Sequence, residues 1–365
     1  MNSMNQKYAD ILINYCLNLK KGDRLLIKGG YIAEPLLLEV YKEAIKVGAH
    51  PQFEIYLNGA AKIFYDYASE DQLKDIPPTR KYIVENYDAL LNILSPFNLK
   101  ELQNVDPEKK KIVNLAGAGI SKTYMKRASD GSLKWNVCQF PCDPVAQESG
   151  MSISEYQDFV YNACFLYEDD PVSKWNEVHD SQQKMVDLLD KKKKIRYKGN
   201  DIDVEFSTEG RIWINSDGRH NMPSGEVFTS PVEDSVNGKI RFSYPAIFMG
   251  QEIEDITLEI KDGEIIKWNA KHGQDFLDQI FQIPGATRFG ECAIGTNYGI
   301  TKFTKNILFD EKLGGTIHMA VGASFPVAGG KNECAIHLDL IADMKTNSEI
   351  YADDELIYKD GKFLK

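Results

Sequence analysis

The sequence predicts two domains: an N-terminal α/β domain with a mainly parallel sheet and a C-terminal α+β domain. Three observations indicate this arrangement. The chain has 365 residues, which is longer than a single hydrophobic core usually grows. Helix and strand patterns alternate through the first half, as a parallel sheet with covering helices requires. From Asp180 onward the pattern changes to strands joined by turns, so we expect domains over 1–180 and 181–365.

The sequence pattern over residues 8–57 predicts one βαβ unit, preceded by a helix. The pattern gives a helix over 8–19, a strand over 24–28, a second helix over 34–47 and a strand over 51–57. Glycines at 22 and 48 are the stop signals of the two helices. The apolar residues at helical spacing, which we expect to face inward, are Ile11, Leu12, Tyr15, Leu19, Leu37, Leu38, Tyr41 and Ile45.

Further strands are expected to extend this sheet to four or more. Short apolar runs at 89–94 and 111–115 predict strands, and the polar segment over 69–86 predicts helix. The sequence Gly117-Ala118-Gly119 matches part of a dinucleotide-binding fingerprint. A third glycine and a downstream acid are missing in register, so a tight turn is the favoured interpretation.

The second half begins with an amphipathic helix over 180–190 and continues as hairpins. The basic run over 191–194 is interpreted as a solvated helix end, where cations complement the helix dipole. Turn residues at 199–201, 262–263 and 360–361 predict hairpins, and the clearest one joins 256–260 to 265–268.

Composition and charge narrow the classes of protein that the chain can belong to. Hydrophobic residues at 43%, aromatics at 11% and charged residues at 27% are typical of a folded globular protein. A formal net charge of -11 argues against a nucleic-acid partner, because such binding depends on clustered Lys and Arg. No apolar run of roughly 20 residues is present and the N-terminus lacks a signal-peptide core, so we expect a cytoplasmic protein without a membrane partner.

The cysteines favour reduced thiols over a disulfide framework. Six of them are scattered through a long chain that we expect to be cytosolic. Cys138 and Cys142 are closely spaced but have no second pair, so a zinc knuckle is weakly supported.

The residues with metal-ligand chemistry lie in the last 140 or so positions. His337 and Asp339 are two apart in an apolar run, so an extended strand would point both side chains to one face, and His318 is close by in a glycine-dense stretch. Glu226 and Glu291 each follow a glycine and begin apolar segments, where a charge needs a partner. Taken singly, each acid is more readily explained as an N-cap or salt bridge, and each histidine as a hydrogen-bonded strand residue.

Several blocks of the sequence together resemble one family of metallopeptidases. The most specific block is Asn221 to Gly238, which contains Pro223-Ser224-Gly225-Glu226, and it is joined by Gly314 to Gly322, by Gly329 to Asn332 and by His337-Leu338-Asp339. The resemblance also includes 146–152, 156–160, 21–23 and 48–50. These blocks are similar to the aminopeptidase T family (M29, leucyl aminopeptidase type), and they run the length of the chain.

The resemblance implies an exopeptidase that removes N-terminal residues from short peptides. It implies two divalent ions per chain (Zn, Co or Mn) held in the C-terminal domain, which activate a bridging water and polarise the scissile carbonyl. It also implies a homodimer. The positions that match the family's metal ligands are Glu226, Glu291, His318, His337 and Asp339. Glu291 is the expected catalytic residue, which takes a proton from the water and passes it to the leaving amine.

One departure from the family pattern affects the expected activity. The family has a tyrosine before proline at the metal centre, and this chain has Phe325 before Pro326. Losing one oxyanion donor costs on the order of a hundredfold to a thousandfold in turnover. Tyr298 could supply a substitute phenol, or could simply pack against its neighbours.

Three interpretations therefore remain open at this point. The first is a metal-dependent aminopeptidase of relaxed specificity. The second, which Phe325 supports, is a catalytically weak or inactive metal-binding homologue that acts as a peptide-binding or scaffold protein. The third is a dinuclear centre for hydrolysis of other amides or of phosphoesters, and the acidic charge weakens its phosphoester version.

Overall fold

The chain forms two compact units in a computed structural model that describes residues 2–364. One unit consists of Met1–Lys174 with Gly218–Pro223, and the other of Trp175–Asp217 with Ser224–Lys365. Within the described residues, no helix has both the length and the apolar character of a membrane-spanning segment.

The first unit alternates helices and strands along the chain, as its sequence pattern predicts. Its elements up to residue 170 are α1 (Asn2–Asp10), a π-helical turn (Ile11–Cys16), β1 (Arg24–Gly30), a 3-10 turn (Tyr31–Ala33), α2 (Glu34–Lys46), β2 (His50–Tyr56), α3 (Ala60–Tyr67), α4 (Glu70–Lys74), α5 (Pro78–Asn86), β3 (Ala89–Leu94), α6 (Pro107–Ser129), β4 (Lys134–Gln139), α7 (Asp143–Glu148) and α8 (Ile153–Ala163).

The rest of the chain is dominated by strands. Its elements are α9 (Pro171–Leu189), β5 (Lys194–Gly199), β6 (Ile202–Ser207), β7 (Ile214–Ser216), β8 (Asn221–Met222), β9 (Glu226–Thr229), β10 (Asn237–Phe242), β11 (Ala246–Phe248), β12 (Gln251–Ile253), β13 (Ile256–Lys261), β14 (Glu264–Asn269), α10 (Gln274–Ile280), β15 (Phe289–Gly295), α11 (Ile307–Asp310), β16 (Thr316–Gly322), a 3-10 turn (Pro326–Ala328), β17 (His337–Asp343), β18 (Glu349–Ala352), β19 (Glu355–Lys359) and β20 (Lys362–Phe363).

The sheet of the first unit is parallel, in the order β2-β1-β3-β4-β8. Strand β8 comes from the short segment 218–223, which returns to pair with Val137 and Cys138 of β4. The predicted parallel sheet is confirmed.

The second unit packs helices against two larger antiparallel sheets. Their strand orders are β14-β13-β10-β6-β5-β18-β19-β20 and β17-β16-β15-β9-β7. The predicted hairpin turns join β5 to β6, β13 to β14 and β19 to β20. Apolar side chains from both sheets form one core, which includes Tyr197, Phe206, Leu258, Met319 and Leu340. The predicted α+β character of this half is confirmed.

The segment 111–115 is helical, so the predicted strand there is wrong. It lies inside α6, whose start is set by Pro107 in the first turn and by the Asp106 side chain, which accepts a hydrogen bond from the Glu108 N–H (2.9 Å). The predicted turn at Gly117 and Gly119 is wrong for the same reason. Short apolar runs fit both periods, and here the helix cap decides between them.

The inward face of α2 differs from the predicted one at most positions. Leu37 is buried, but Leu38, Tyr41 and Ile45 are 55%, 36% and 51% exposed. The buried stripe is instead Leu36, Leu37, Val40, Glu43 and Ala44. Both stripes are spaced for a helix, so periodicity alone could not choose between them.

The predicted helix over 69–86 is interrupted. It forms α4 and α5, which are separated because Pro77 and Pro78 cannot continue a helix from the preceding residue. The helix predicted over 180–190 is the C-terminal part of α9.

Candidate metal centre

The smaller antiparallel sheet of the second unit has two chemically different faces. Its strand β16 is buried at every residue. Alternation along the strand places Ile317, Met319 and Val321 in the apolar core and turns His318 and Ala320 to the other face. In this strand His318 is therefore the residue that can bind a metal, and the other residues are apolar or small.

Cross-strand register brings three predicted ligands onto that face. Glu291 of β15 and Asp339 of β17 both pair with Ala320, and His318 pairs with Ala293. Directly opposed residues of antiparallel strands share a face, so the two carboxylates flank Ala320 with His318 beside them. The two alanines leave room where larger side chains would fill the space.

Glu226 enters the same sheet at the first residue of β9 and is only 5% exposed. The preceding residue must be glycine: Gly225 has φ +122°, and a Cβ there would lie 2.6 Å from the Asn297 Cβ. Gln182 of α9 donates a hydrogen bond to the Glu226 carbonyl (3.2 Å). The backbone on both sides of this carboxylate is therefore fixed.

The predicted ligand atoms converge around Glu291. His318 Nε2 lies 3.5 Å from Glu226 Oε2 and 3.7 Å from Glu291 Oε1. His337 Nε2 lies 3.0 Å from Glu291 Oε2 and 3.4 Å from Asp339 Oδ1. Glu291 thus presents one oxygen to each histidine.

His337 is oriented by its backbone contact. Its Nδ1 lies 2.7 Å from the Ala323 carbonyl oxygen, to which an Nδ1–H donates. This leaves Nε2 directed at the carboxylates. Metal-binding histidines commonly use one ring nitrogen in this way to orient the other.

The charges of the cluster stabilise one another. Burial alone would raise the pKa of Glu291 and Asp339, but the adjacent histidines outweigh it and hold both pKa values below the ordinary range. Burial would lower the pKa of His337, but Asp339 and Glu291 raise it to about 11. The pKa of His318 is raised as well, because Glu291 and Glu226 outweigh its burial.

Unsatisfied polar atoms indicate that the cluster suits a cation. Glu226 Oε2, His318 Nδ1 and Asp339 Oδ1 are buried, and none has a hydrogen-bond partner in the described part of the chain. Such atoms are costly to bury unless something satisfies them. Ligand atoms of Glu291, His337 and Asp339 lie within 4.8 Å of one another. Imidazole nitrogen with carboxylate oxygen is a donor set that fits Zn, Co or Mn.

Two charged residues at this cluster were not predicted from the sequence. Lys312 is fully buried, its Nζ lies 3.6 Å from Glu226 Oε1, and it also contacts Glu311 Oε1. Glu311 in turn has a ligand atom within 4.8 Å of those of His318 and Asp339. The available signal was the charged run at 310–312, three residues ahead of a buried strand.

Phe325 lies beside the cluster, where the family pattern has a tyrosine. Its ring centroid is 4.9 Å from that of His337 and 5.3 Å from that of Phe228. The other phenol considered above is used elsewhere: the Tyr298 hydroxyl donates a hydrogen bond to the Gly361 carbonyl (2.7 Å).

Comparison with known sequences gives one family over the whole chain. The family model described as thermophilic metalloprotease (M29) matches residues 1–363. Aminopeptidase 2 of Geobacillus stearothermophilus is 27% identical, over 98% of this chain and 94% of that protein. Aminopeptidase T of Thermus thermophilus is 24% identical, over 98% of this chain and 95% of that protein.

Comparison with solved structures supports the fold. The wild-type AmpT structure from Thermus thermophilus matches with a TM-score of 0.84 and 22% identity, over 99% of both chains. A 2,5-dihydroxypyridine dioxygenase from Pseudomonas putida KT2440 matches with a TM-score of 0.59 and 14% identity, over 100% of this chain and 98% of that one. The architecture alone therefore does not determine the reaction.

Proposed function

This chain belongs to the M29 family of metallopeptidases, and from that premise we propose that it is an aminopeptidase with a dinuclear metal centre. The family makes it a hydrolase of peptide bonds that uses divalent metal. The observation that carries the finer proposal is the convergence of Glu226, Glu291, His318, His337 and Asp339 on one sheet face, with buried oxygen and nitrogen atoms left unsatisfied.

We assign these residues to two adjacent metal positions. Glu226 and His318 would hold one ion and His337 and Asp339 would hold the other, while Glu291, which lies against both histidines, would contribute to both positions. When bound, the ions would polarise the scissile carbonyl and activate water for attack.

The protein's own groups hold this arrangement and handle the proton. The Ala323 carbonyl fixes the ring of His337, and Gln182 with Gly225 fixes the backbone at Glu226. The lowered pKa of Glu291 keeps its carboxylate ionised at neutral pH, so an oxygen of this residue can accept a proton and return it to the leaving amine.

Peptides with a free N-terminus are the proposed substrates. The family match and the named aminopeptidases among the relatives of this chain support this choice. Zn, Co or Mn as the physiological ion and a homodimeric assembly are further proposals, and the cytoplasmic location stays a prediction.

The test measures the metal content of the protein and its cleavage of two substrates, one with a free N-terminus and one with a blocked N-terminus. Purified protein should bind two equivalents of Zn²⁺, Co²⁺ or Mn²⁺ and release leucine from Leu-p-nitroanilide, but leave the N-acetylated analogue intact. Asp339→Asn should lose both metal and activity. Asp343→Asn is the matched control, because Asp343 is an exposed residue of the same strand.

Phe325 favours one alternative function, a metal-binding homologue with little peptidase activity. Two bound equivalents without leucine release under any of the three metals would support this alternative and defeat the aminopeptidase proposal. Absence of metal binding in excess Zn²⁺ would defeat the dinuclear centre itself.

A further inference from the structure

A β-bulge in β15 turns Glu291 onto the polar face of the smaller sheet. Phe289 pairs with Val321 of β16. Glu291, two residues on, pairs with Ala320, so Gly290 is an extra residue in this strand. In a regular ladder the side chain of Glu291 would share the face of Phe289, which belongs to the apolar core. The orientation of this carboxylate therefore depends on the bulge.

The hydroxyl of Ser230 holds the backbone of the bulge. Ser230 follows β9 directly, is fully buried, and donates a hydrogen bond to the Gly290 carbonyl (2.7 Å). Among residues 2–364, Gly290 has no register partner in either neighbouring strand. Because a buried carbonyl without a partner is costly, the hydroxyl stabilises a backbone position that the ladder leaves out.

The same hydroxyl reaches the loop that contains Phe325. Ser230 Oγ accepts a hydrogen bond from the Phe325 N–H (3.2 Å). This loop also contains Ala323, whose carbonyl orients His337. One side chain thus connects the backbone next to Glu291 with the loop that contacts His337.

The backbone packs closely around this hydroxyl. A Cβ at Gly330 would lie 2.5 Å from Ser230 Oγ, and a Cβ at Gly290 would overlap the Ala323 carbonyl. Removing the hydroxyl would leave the Gly290 carbonyl and the Phe325 N–H without this partner inside the protein. Both the bulge and the loop should then move.

We propose that Ser230 is a positioning residue of the reaction: through Gly290 it sets the direction of Glu291, and through Phe325 it sets the place of the ring beside His337. This inference rests on the proposed aminopeptidase function. It makes the effect of residue 325 depend on residue 230, because a phenol at 325 helps the reaction only while its loop is held against the backbone of Glu291.

The test is a cycle of four proteins at saturating metal: wild type, Ser230→Ala, Phe325→Tyr and the double variant. We expect Ser230→Ala to lower kcat for Leu-p-nitroanilide about tenfold or more, while KM changes less than about threefold and both metal equivalents are retained. The gain in kcat from Phe325→Tyr should shrink in the double variant, because the two positions share a hydrogen bond.

Ser235→Ala is the matched control. The Ser235 hydroxyl also donates to a carbonyl, that of Val232 (2.7 Å), and accepts from a backbone N–H, that of Ser207 (2.9 Å). Ser207 is the last residue of β6, which belongs to the larger sheet. This variant loses the same two kinds of hydrogen bond and should leave kcat and the gain from Phe325→Tyr unchanged.

Amide hydrogen exchange of the metal-free protein gives a readout that does not depend on activity. Ser230→Ala should speed exchange in peptides that cover 323–330, because the Phe325 N–H loses its acceptor and the loop loosens. Ser235→Ala should leave the exchange of these peptides as it is in the wild type.

The possible results separate this inference from the proposed function. If neither the wild type nor Phe325→Tyr releases leucine, the aminopeptidase proposal fails, and exchange in 323–330 decides the role of Ser230: faster exchange supports it and unchanged exchange overturns it. If leucine is released, an undiminished gain from Phe325→Tyr in the double variant overturns the inference, as do equal losses of kcat in Ser230→Ala and Ser235→Ala. Circular dichroism checks folding, and Ser230→Cys replaces Ser230→Ala in the same cycle if the latter does not fold.

Discussion

His337 has two differently used ring nitrogens. Nδ1 is committed to the Ala323 carbonyl, and Nε2 faces Glu291 and Asp339. In the metal-free protein these carboxylates raise the pKa of His337 to about 11, so the ring is protonated at neutral pH. The same pair of acids that favours the imidazolium would share a metal ion with the neutral imidazole. Proton and metal therefore compete for one atom.

This competition predicts that metal uptake depends on pH. The pKa values of His318 and His337 are raised, so binding must release protons and the apparent metal affinity should fall as the pH decreases. We expect release of at least about one proton, from His337, when both equivalents bind near pH 7. Calorimetry in buffers of different ionisation enthalpy measures this number. An affinity that stays constant between about pH 6 and about pH 8 would contradict the prediction.

The position of Phe325 beside His337 predicts how a substitution there changes kcat. Phe325→Tyr places a hydroxyl on the ring that lies beside His337, at the position where the resemblance implies a tyrosine. We expect kcat for Leu-p-nitroanilide to rise on the order of ten- to a hundredfold with the metal content unchanged. Phe228→Tyr adds the same hydroxyl to the neighbouring ring and should leave kcat nearly unchanged. Equal effects of the two variants would show that the position of the phenol does not matter.

At the scale of elements, side chains along strand β16 point alternately to the polar cluster on one face of the sheet and to the apolar core on the other. His318 and Ala320 face the polar cluster, and Val321 belongs to the apolar core on the other face. Ala320 lies between Glu291 and Asp339 in the register. The small size of this side chain therefore matters for the cluster, although it makes no polar contact itself.

A matched pair of variants tests this separation. Ala320→Val adds two methyl groups between the carboxylates and should weaken metal binding by tenfold or more, because it pushes Glu291 and Asp339 apart. Val321→Ala removes two methyl groups from the core and should cost about 2 kcal/mol of unfolding free energy while metal binding is retained. Calorimetry and chemical denaturation of both variants give the two readouts. The reverse pattern would mean that the faces are assigned wrongly.

The elements also show what could be predicted from the sequence. The shared face of His337 and Asp339 follows from the two-residue period of a strand, and the parallel sheet follows from alternating patterns. The buried stripe of α2 could not be predicted, because two apolar stripes satisfy the same helical period. Glu311 and Lys312 could not be predicted either, since only the folded loop before β16 places them at the cluster.

At the scale of the whole molecule, all the proposed ligands belong to one unit. Glu226, Glu291, His318, His337 and Asp339 lie in the unit formed by 175–217 and 224–365. A ligand that binds only the folded state stabilises it by about 2.7 kcal/mol at a hundredfold excess over Kd. Metal should therefore stabilise this unit directly.

Hydrogen exchange can localise that stabilisation. We expect added metal to slow amide exchange in β9, β15, β16 and β17, whereas β1 and β3 of the parallel sheet change little. The protein with Asp339→Asn, which lacks one of the proposed ligands, is the control and should show no slowing. Uniform slowing across both units would contradict a stabilisation confined to one of them.

The cysteines differ in accessibility in a way that has a practical consequence. Cys292 follows Glu291 but points to the opposite face, where burial raises the pKa of its thiol, and Cys16, Cys138, Cys142 and Cys164 are also buried. Cys334 is partly exposed and lies three residues before His337. A thiol-reactive fluorophore would therefore attach preferentially at Cys334 in the folded protein. The natural chain thus offers a labelling position for following metal uptake by fluorescence, without an engineered cysteine.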